Sequence, residues 1–184
     1  MITDTREIIY TTNIHKESIC AEIGVHRGIN AQKIYKNKPK ELHLIDCWDC
    51  QKEFFKENNI IPHSHGLACN EKQKNWYLEV KEIFNKNSNV NIIKMYSTEA
   101  SKKFKNNYFD FIYIDGLHDY DSVLQDLKSW HPKLKNNGII MCDDYEDRPE
   151  RGYGVIPAIE KLLTLEPSFT KIIIKDRICI LKKI

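Results

Sequence analysis

Short apolar runs separated by longer amphipathic stretches set the rhythm of this chain. Ser18 to Ile23 (SICAEI) reads as a buried strand stopped by Gly24, and a helix follows from about Gly28 to Tyr35. Glu41 to Asp46 (ELHLID) predicts a second strand and Val90 to Tyr96 (VNIIKMY) a third. Asn70 to Asn85, between them, fits a helix with Trp76, Leu78, Val80, Ile83 and Phe84 as its apolar positions. Phe109 to Asp115 (FDFIYID) and Gly138 to Cys142 (GIIMC) predict strands four and five. Between those two, Val123, Leu124, Leu127 and Trp130 recur at helical spacing behind Asp119, a suitable N-cap. A last helix is expected after Pro157, to about Leu165, and KIIIKDRICILKKI reads as two strands around Lys175, Asp176 and Arg177.

Strands that are apolar along their whole length and alternate with helices imply a parallel sheet covered on both faces. The closing pair has too short a connection for a crossover, so it reads as an antiparallel hairpin. The expected fold is α/β: a doubly wound, Rossmann-like, mostly parallel seven-stranded sheet with an antiparallel C-terminal hairpin. No repeat, low-complexity tract or Pro/Gly-rich linker divides the chain, so residues 1–184 read as a single domain.

Composition narrows the classes. The 28 Lys+Arg against 26 Asp+Glu leave a formal charge of +2, and Arg is scarce (6, 27, 148, 151 and 177), which argues against a nucleic-acid partner. A hydrophobic content of 41% is too high for a disordered chain. No apolar run approaches the roughly 20 residues of a membrane span. The first ten residues (MITDTREIIY) carry charge where a signal peptide is apolar, so a soluble, cytoplasmic protein is expected. Cys20, Cys142 and Cys179 sit in apolar runs and read as small core residues.

Ligands of an open α/β sheet bind beyond the carboxyl ends of its strands. Strand one ends in Glu22-Ile23-Gly24-Val25-His26-Arg27-Gly28, whose glycines permit a tight turn and close approach of a ligand to backbone. The spacing is G-x-x-x-G rather than the G-x-G-x-x-G of dinucleotide enzymes, which disfavours a nicotinamide dehydrogenase. Strand two ends in Asp46, where a carboxylate can hold a ribose diol. Ser97 follows strand three, Asp115 ends strand four, and Asp143-Asp144 ends strand five. Two adjacent anions repel unless a cation or donors compensate, and Asp115 on the neighbouring strand can join them, so the three make a candidate site for Mg²⁺ or a similar divalent cation.

The plan of βα units with a terminal hairpin resembles the class I SAM-dependent methyltransferases. The run from Tyr113 to Tyr120 (YIDGLHDY), then Asp126-Leu127, Trp130 and Leu134 to Asp144 (LKNNGIIMCDD), looks like metal-dependent sugar O-methyltransferases of the macrocin O-methyltransferase type. With Glu22, Gly24, Gly28 and Asp46, the likeness spans roughly residues 18–165. The resemblance implies S-adenosyl-L-methionine held by Glu22, Gly24, Val25, Gly28 and Asp46, with Ser97 near the adenine. It implies a divalent cation on Asp115, Asp143 and Asp144, and His118 as general base beside Asp115. The acceptor is then a small hydroxylated molecule, a sugar by family. The extra N-terminal segment of larger relatives is not expected from this short sequence, and the segment from Cys47 to Asn70 does not match the family, so acceptor identity is not expected to transfer. Methyl transfer from a sulfonium is an in-line displacement, which mainly requires alignment of an activated hydroxyl.

Rival signals remain open. Cys47 and Cys50, with His63, His65 and Cys69, could ligate zinc, although regular spacing is absent; a polar substrate loop is the plainer reading. Tyr145 to Gly154 is too polar for core, so Arg148, Arg151 and Tyr153 either touch an acceptor or lie on a solvated loop. A metal-independent methyltransferase and a non-catalytic SAM-fold binding subunit are the alternatives. No membrane partner is expected, nothing marks an interface, and a homo-oligomer is left open.

Overall fold

The computed structural model describes residues 5–49, 56–57, 68, 70–174 and 176–184. Among the described residues, seven strands form one sheet: β1 (Ile19–Ile23), β2 (Glu41–Asp46), β3 (Val90–Lys94), β4 (Phe109–Ile114), β5 (Leu134–Cys142), β6 (Phe169–Ile174) and β7 (Ile178–Lys183), in the spatial order β3-β2-β1-β4-β5-β7-β6. β1 to β5 pair in parallel, and β7 inserts antiparallel between β5 and β6. The expected α/β fold with its antiparallel C-terminal hairpin is the one observed. The order reverses between β1 and β4, where such sheets open a crevice for ligands.

Helices cover both faces. α1 (Thr5–Asn13), α2 (Ile29–Tyr35) and α3 (Asn70–Ile83) pack on one face, bringing Ile9, Tyr10, Ile34, Trp76 and Val80 against Leu42, Leu44, Phe111 and Met141. α4 (Ser97–Ser101), α5 (Tyr120–Trp130) and α6 (Val155–Leu165) cover the other, where Ala100, Leu127, Trp130 and Leu162 meet Ile23, Ile112, Ile140 and Leu181. Strand side chains alternate between these cores with period two, which decides the placement of each carboxylate at the strand ends. Asp119 caps α5 as its sequence predicts, accepting from the Ser122 amide at 3.0 Å. Cys20, Cys142 and Cys179 are buried.

Several boundaries and faces differ from the sequence reading. α1 has no counterpart among the predicted elements; it is held by Ile9 and Tyr10, with the Tyr10 ring edge-on to Phe111 and Tyr113. β5 begins at Leu134 rather than Gly138, and α6 begins at Val155, which leaves Pro157 in its first turn, where a missing N–H costs nothing. In α3, Trp76 and Val80 are buried, as is Phe84 just beyond it, but Leu78 is 48% exposed and Gln73 is buried. Leu78 lies two residues from both Trp76 and Val80, on the opposite side of the helix. Among the described residues, no helix is long and apolar enough to cross a membrane.

Candidate active site

The loop after β1 is built around Gly24, whose φ is +87°. Its amide donates to the Ile45 carbonyl at 2.9 Å, and the Asp115 amide donates to Ile23 at 2.8 Å, so the ends of β1, β2 and β4 are drawn together. A Cβ on Gly24 would lie 2.0 Å from the Asp115 carbonyl oxygen, so only glycine lets the strands close this tightly. Asp46 ties the next turns down. One carboxylate oxygen accepts from the amides of Val25 (2.9 Å) and His26 (2.8 Å), and the other from Trp48 (2.8 Å). His26 and Trp48 both adopt positive φ (53° and 40°), and the Trp48 indole donates to the His26 carbonyl at 2.8 Å. Asp46 thus first organises the loop that lines the cavity, and burial raises its carboxyl above the usual range against the pull of those amides.

Glu22 points to the α1 and α2 side. One of its oxygens accepts from Asn30 at 3.0 Å, and Asn30 accepts in turn from the Tyr10 hydroxyl at 2.7 Å. The other oxygen is buried without a hydrogen-bond partner, and burial holds the carboxyl well above its ordinary value. Val25 contributes its backbone and keeps its side chain in the core.

At the other end of the crevice, one donor atom each from Asp115, His118 and Asp144 lies within 4.8 Å of the others. The His118 Nε2 is 3.1 Å from Asp144 and 3.5 Å from Asp115. Burial raises Asp115 to about 6, opposed by His118 and assisted by the neighbouring aspartates. Burial alone would lower His118, but the surrounding carboxylates outweigh it and leave the imidazole raised. The His118 ring also packs at 5.0 Å against Tyr153, so one of the three residues anticipated in the 145–154 loop does reach this cluster. Arg148 instead pairs with Glu146 at 2.9 Å, and Arg151 is exposed.

Asp143 stands apart from that triad. Met141 faces the α1–α3 side and Cys142 the other, so alternation sends Asp143 back toward α1. There Arg6 meets it with contacts of 2.7 and 2.8 Å, and the Tyr113 hydroxyl donates to it at 2.6 Å. Asp144, at a φ of +52°, turns to the opposite side, where it meets His118 and Arg177 (2.7 Å). The three aspartates expected to converge are therefore divided between a protein cation and a cluster completed by histidine.

A cavity of about 720 Å³, within the range of small-molecule sites, connects the loop after β1 with Asp115 and His118, while Asp143 and Asp144 lie outside its lining. Its walls include Glu22, Gly24, Asp46, Ser97, Asp115 and His118. Arg6 and Asp126 also line it, and neither is singled out by the sequence as a site residue. Arg6 has a legible signal, since it lies three and four residues before the buried Ile9 and Tyr10. Of the zinc candidates only Cys47 is described, as a half-buried cysteine; Cys50, His63, His65 and Cys69 lie outside the described residues.

The profile of a family described as "Methyltransferase domain" matches residues 21–145, which takes in the glycine loop, Asp46, the Asp115–His118 segment and Asp144. The chain belongs to this family. Uncharacterized protein R132 of Acanthamoeba polyphaga mimivirus is 29% identical over 152 residues, covering 77% of this chain, and the chain spans 58% of that relative's length. Among solved structures, a Staphylococcus aureus protein described as a candidate caffeoyl-CoA O-methyltransferase superposes with a TM-score of 0.68 at 16% identity, covering 100% of this chain and 85% of that one. The 1,6-didemethyltoxoflavin-N1-methyltransferase of Burkholderia thailandensis, solved with S-adenosylhomocysteine bound, gives 0.62 at 12% identity, with 97% and 78% covered. At these identities the structural likeness speaks for the fold, and the two neighbours' descriptions specify different kinds of atom, oxygen and nitrogen.

Proposed function

We propose that this chain is a SAM-dependent O-methyltransferase acting on a small hydroxylated acceptor of the sugar class, with a divalent cation assisting. The observation that carries the reading is one cavity in which the glycine loop, the orphaned oxygen of Glu22 and the Asp115–His118 pair face a common space. S-adenosyl-L-methionine bears an ammonium and a sulfonium, and Glu22, Asp46, Asp115 and Asp126 give the wall an acidic character that suits it. The unsatisfied Glu22 oxygen fits a donor such as the amino group. Membership of the methyltransferase family and the likeness to a neighbour that holds S-adenosylhomocysteine support the same donor.

Two carboxylates and an imidazole within 4.8 Å also fit a divalent cation, with Asp115, Asp144 and His118 as the residues that would hold it. Such an ion, when bound, lowers the pKa of a coordinated hydroxyl. The protein's own groups align the acceptor oxygen with the methyl carbon; the new C–O bond forms as the C–S bond breaks, and its electron pair stays on sulfur. With no cation in the cluster, His118 Nε2, flanked by carboxylates that stabilise the imidazolium, is the group placed to take the hydroxyl proton; a cation held by that nitrogen would occupy its lone pair and leave the proton to water. A second reading, metal-independent transfer with His118 as base, is favoured by one observation: Arg6 and Arg177 already neutralise Asp143 and Asp144.

Calorimetric titration with S-adenosylhomocysteine tests the donor, and transfer to a panel of sugars with and without EDTA separates the two readings. Micromolar binding with EDTA-sensitive transfer is expected. Transfer that survives EDTA selects the metal-independent form, and absence of binding removes the methyltransferase reading.

A further inference from the structure

The two adjacent aspartates at the end of β5 are held in different ways. Asp143 is well satisfied: Arg6 donates to both of its oxygens at 2.7 and 2.8 Å, the Tyr113 hydroxyl donates at 2.6 Å, and the Asp144 amide donates at 2.9 Å. Asp144 meets a cation without such bonds. Its Oδ1 lies 2.7 Å from an Arg177 nitrogen and yet, buried, accepts no hydrogen bond, so the contact is one of charge without hydrogen-bond alignment. Its Oδ2 turns to His118 at 3.1 Å, inside the cluster that Asp115 completes. A buried carboxylate oxygen left without a donor is costly, and in a native fold it calls for a further partner such as an ion.

Arg177 is placed so that it can let go of Asp144. It lies in the short connection between β6 and β7, where Asp176 and Arg177 both have positive φ (65° and 63°), a conformation costly for residues with side chains. The backbone there is tied from outside: the Tyr145 amide donates to the Arg177 carbonyl at 2.8 Å, and the Thr5 hydroxyl donates to Asp176. The guanidinium, by contrast, is 45% exposed, and it already donates to Glu146 Oε1 at 3.3 Å through its other terminal nitrogen. Released from Asp144, it keeps that second carboxylate and gains water.

We propose that Arg177 is a placeholder for the divalent ion: its guanidinium covers Asp144 while no ion is bound, and withdraws to Glu146 as an ion takes Asp115, His118 and Asp144. The inference rests on the cation-assisted form of the function proposed above. One positive charge beside the cluster opposes the arrival of another, and it does so most where water is partly excluded. The ion must therefore first break the Arg177–Asp144 pair, which makes its binding reversible. A guanidinium that served only as a strut, fixing Asp144 for the ion, would have the opposite effect, and its loss would weaken binding. The sign of the change decides between the two.

The test is direct Mn²⁺ binding, read from the loss of the free-ion electron paramagnetic resonance signal at about pH 7.5 with no donor or acceptor present. Arg177→Gln should bind Mn²⁺ roughly 10-fold more tightly than the wild type. Arg177→Gly removes the same charge and relieves the positive φ, so a similar tightening there assigns the effect to charge and not to the turn. Arg148→Gln removes an equal charge from Glu146, its partner at 2.9 Å, and should change the affinity by no more than about twofold. Asp144→Asn should lose binding, which places the ion on this cluster. Unchanged or weaker binding in both Arg177 variants, or full binding in Asp144→Asn, would overturn the proposal. Failure of the wild type and both Arg177 variants to bind Mn²⁺ would instead bring down the cation-assisted reading, and the placeholder role with it.

Discussion

Gly24→Ala is the sharpest test of the way the strand ends are joined. The added Cβ would sit 2.0 Å from the Asp115 carbonyl oxygen, 2.5 Å from its carbon and 2.8 Å from the Gly116 nitrogen. All three are backbone atoms of the segment following β4, so no side chain can rotate away. Reaching an ordinary contact of 3.4 Å requires that segment to retreat by about 1.4 Å. Overpacking of this kind costs about 1–3 kcal/mol. The φ of +87° adds about 1–2 kcal/mol for a residue with a side chain. Gly28→Ala is the control: its φ is +75°, but the nearest atom is the Val80 Cγ2, 3.2 Å away on a side chain. Gly28→Ala should therefore lose about 1–2 kcal/mol, and Gly24→Ala about 2–5 kcal/mol, out of a typical 5–15. Urea unfolding followed by tryptophan fluorescence measures both. Since the strained segment carries Asp115, Gly24→Ala should also weaken S-adenosylhomocysteine binding by at least about tenfold. Equal stabilities for the two variants, with undiminished affinity in Gly24→Ala, would refute the close apposition of β1 and β4.

Two further outcomes follow from the buried charges. Arg6→Gln leaves the buried Asp143 with the Tyr113 hydroxyl and the Asp144 amide but without its cation, and should cost about 2–3 kcal/mol in urea unfolding at pH 7; a loss under about 0.5 kcal/mol would mean that the pair is solvated in practice. Asp126→Asn should become progressively more stable than the wild type as pH rises from about 4 to about 7. The folded carboxyl titrates near 7 against an ordinary 3.8, so across that window the unfolded chain has released a proton that the folded chain retains. Wild-type stability then falls by up to about 1.4 kcal/mol per pH unit and levels off above 7. The groups facing Asp126 are Asp119 of its own helix, Ser97 of α4 and Cys142 of β5. Parallel pH profiles for the two proteins would show that Asp126 titrates normally.

The strands are legible because a sheet buried on both faces needs uninterrupted apolar runs, and SICAEI, ELHLID and FDFIYID are such runs. The hairpin is legible because so few residues separate its strands. Helical faces are harder to read. In α3, Leu78 reads as core by type, yet Trp76 and Val80 define the buried side, and Gln73 shares it. α1 escapes sequence reading because a nine-residue helix with two buried apolar residues leaves little periodic signal.

The same division holds at the site. Glu22, Gly24, Asp46 and Asp115 can be placed from sequence, because the carboxyl ends of parallel strands are where the backbone stops pairing and a crevice opens. What the adjacent aspartates do cannot be placed that way. Strand alternation carries Asp143 to Arg6, 137 residues away along the chain, while a positive φ turns Asp144 toward His118. Asp126 likewise comes to line the cavity only when α5 lays it beside Ser97 and opposite Gly116. Local pattern determined the strands, the longer helices after α1 and the end of the sheet at which chemistry gathers, since these depend on neighbours in sequence. Which carboxylate meets a protein cation, which meets an imidazole and which faces the cavity was decided by packing between distant segments, and so by the tertiary structure alone.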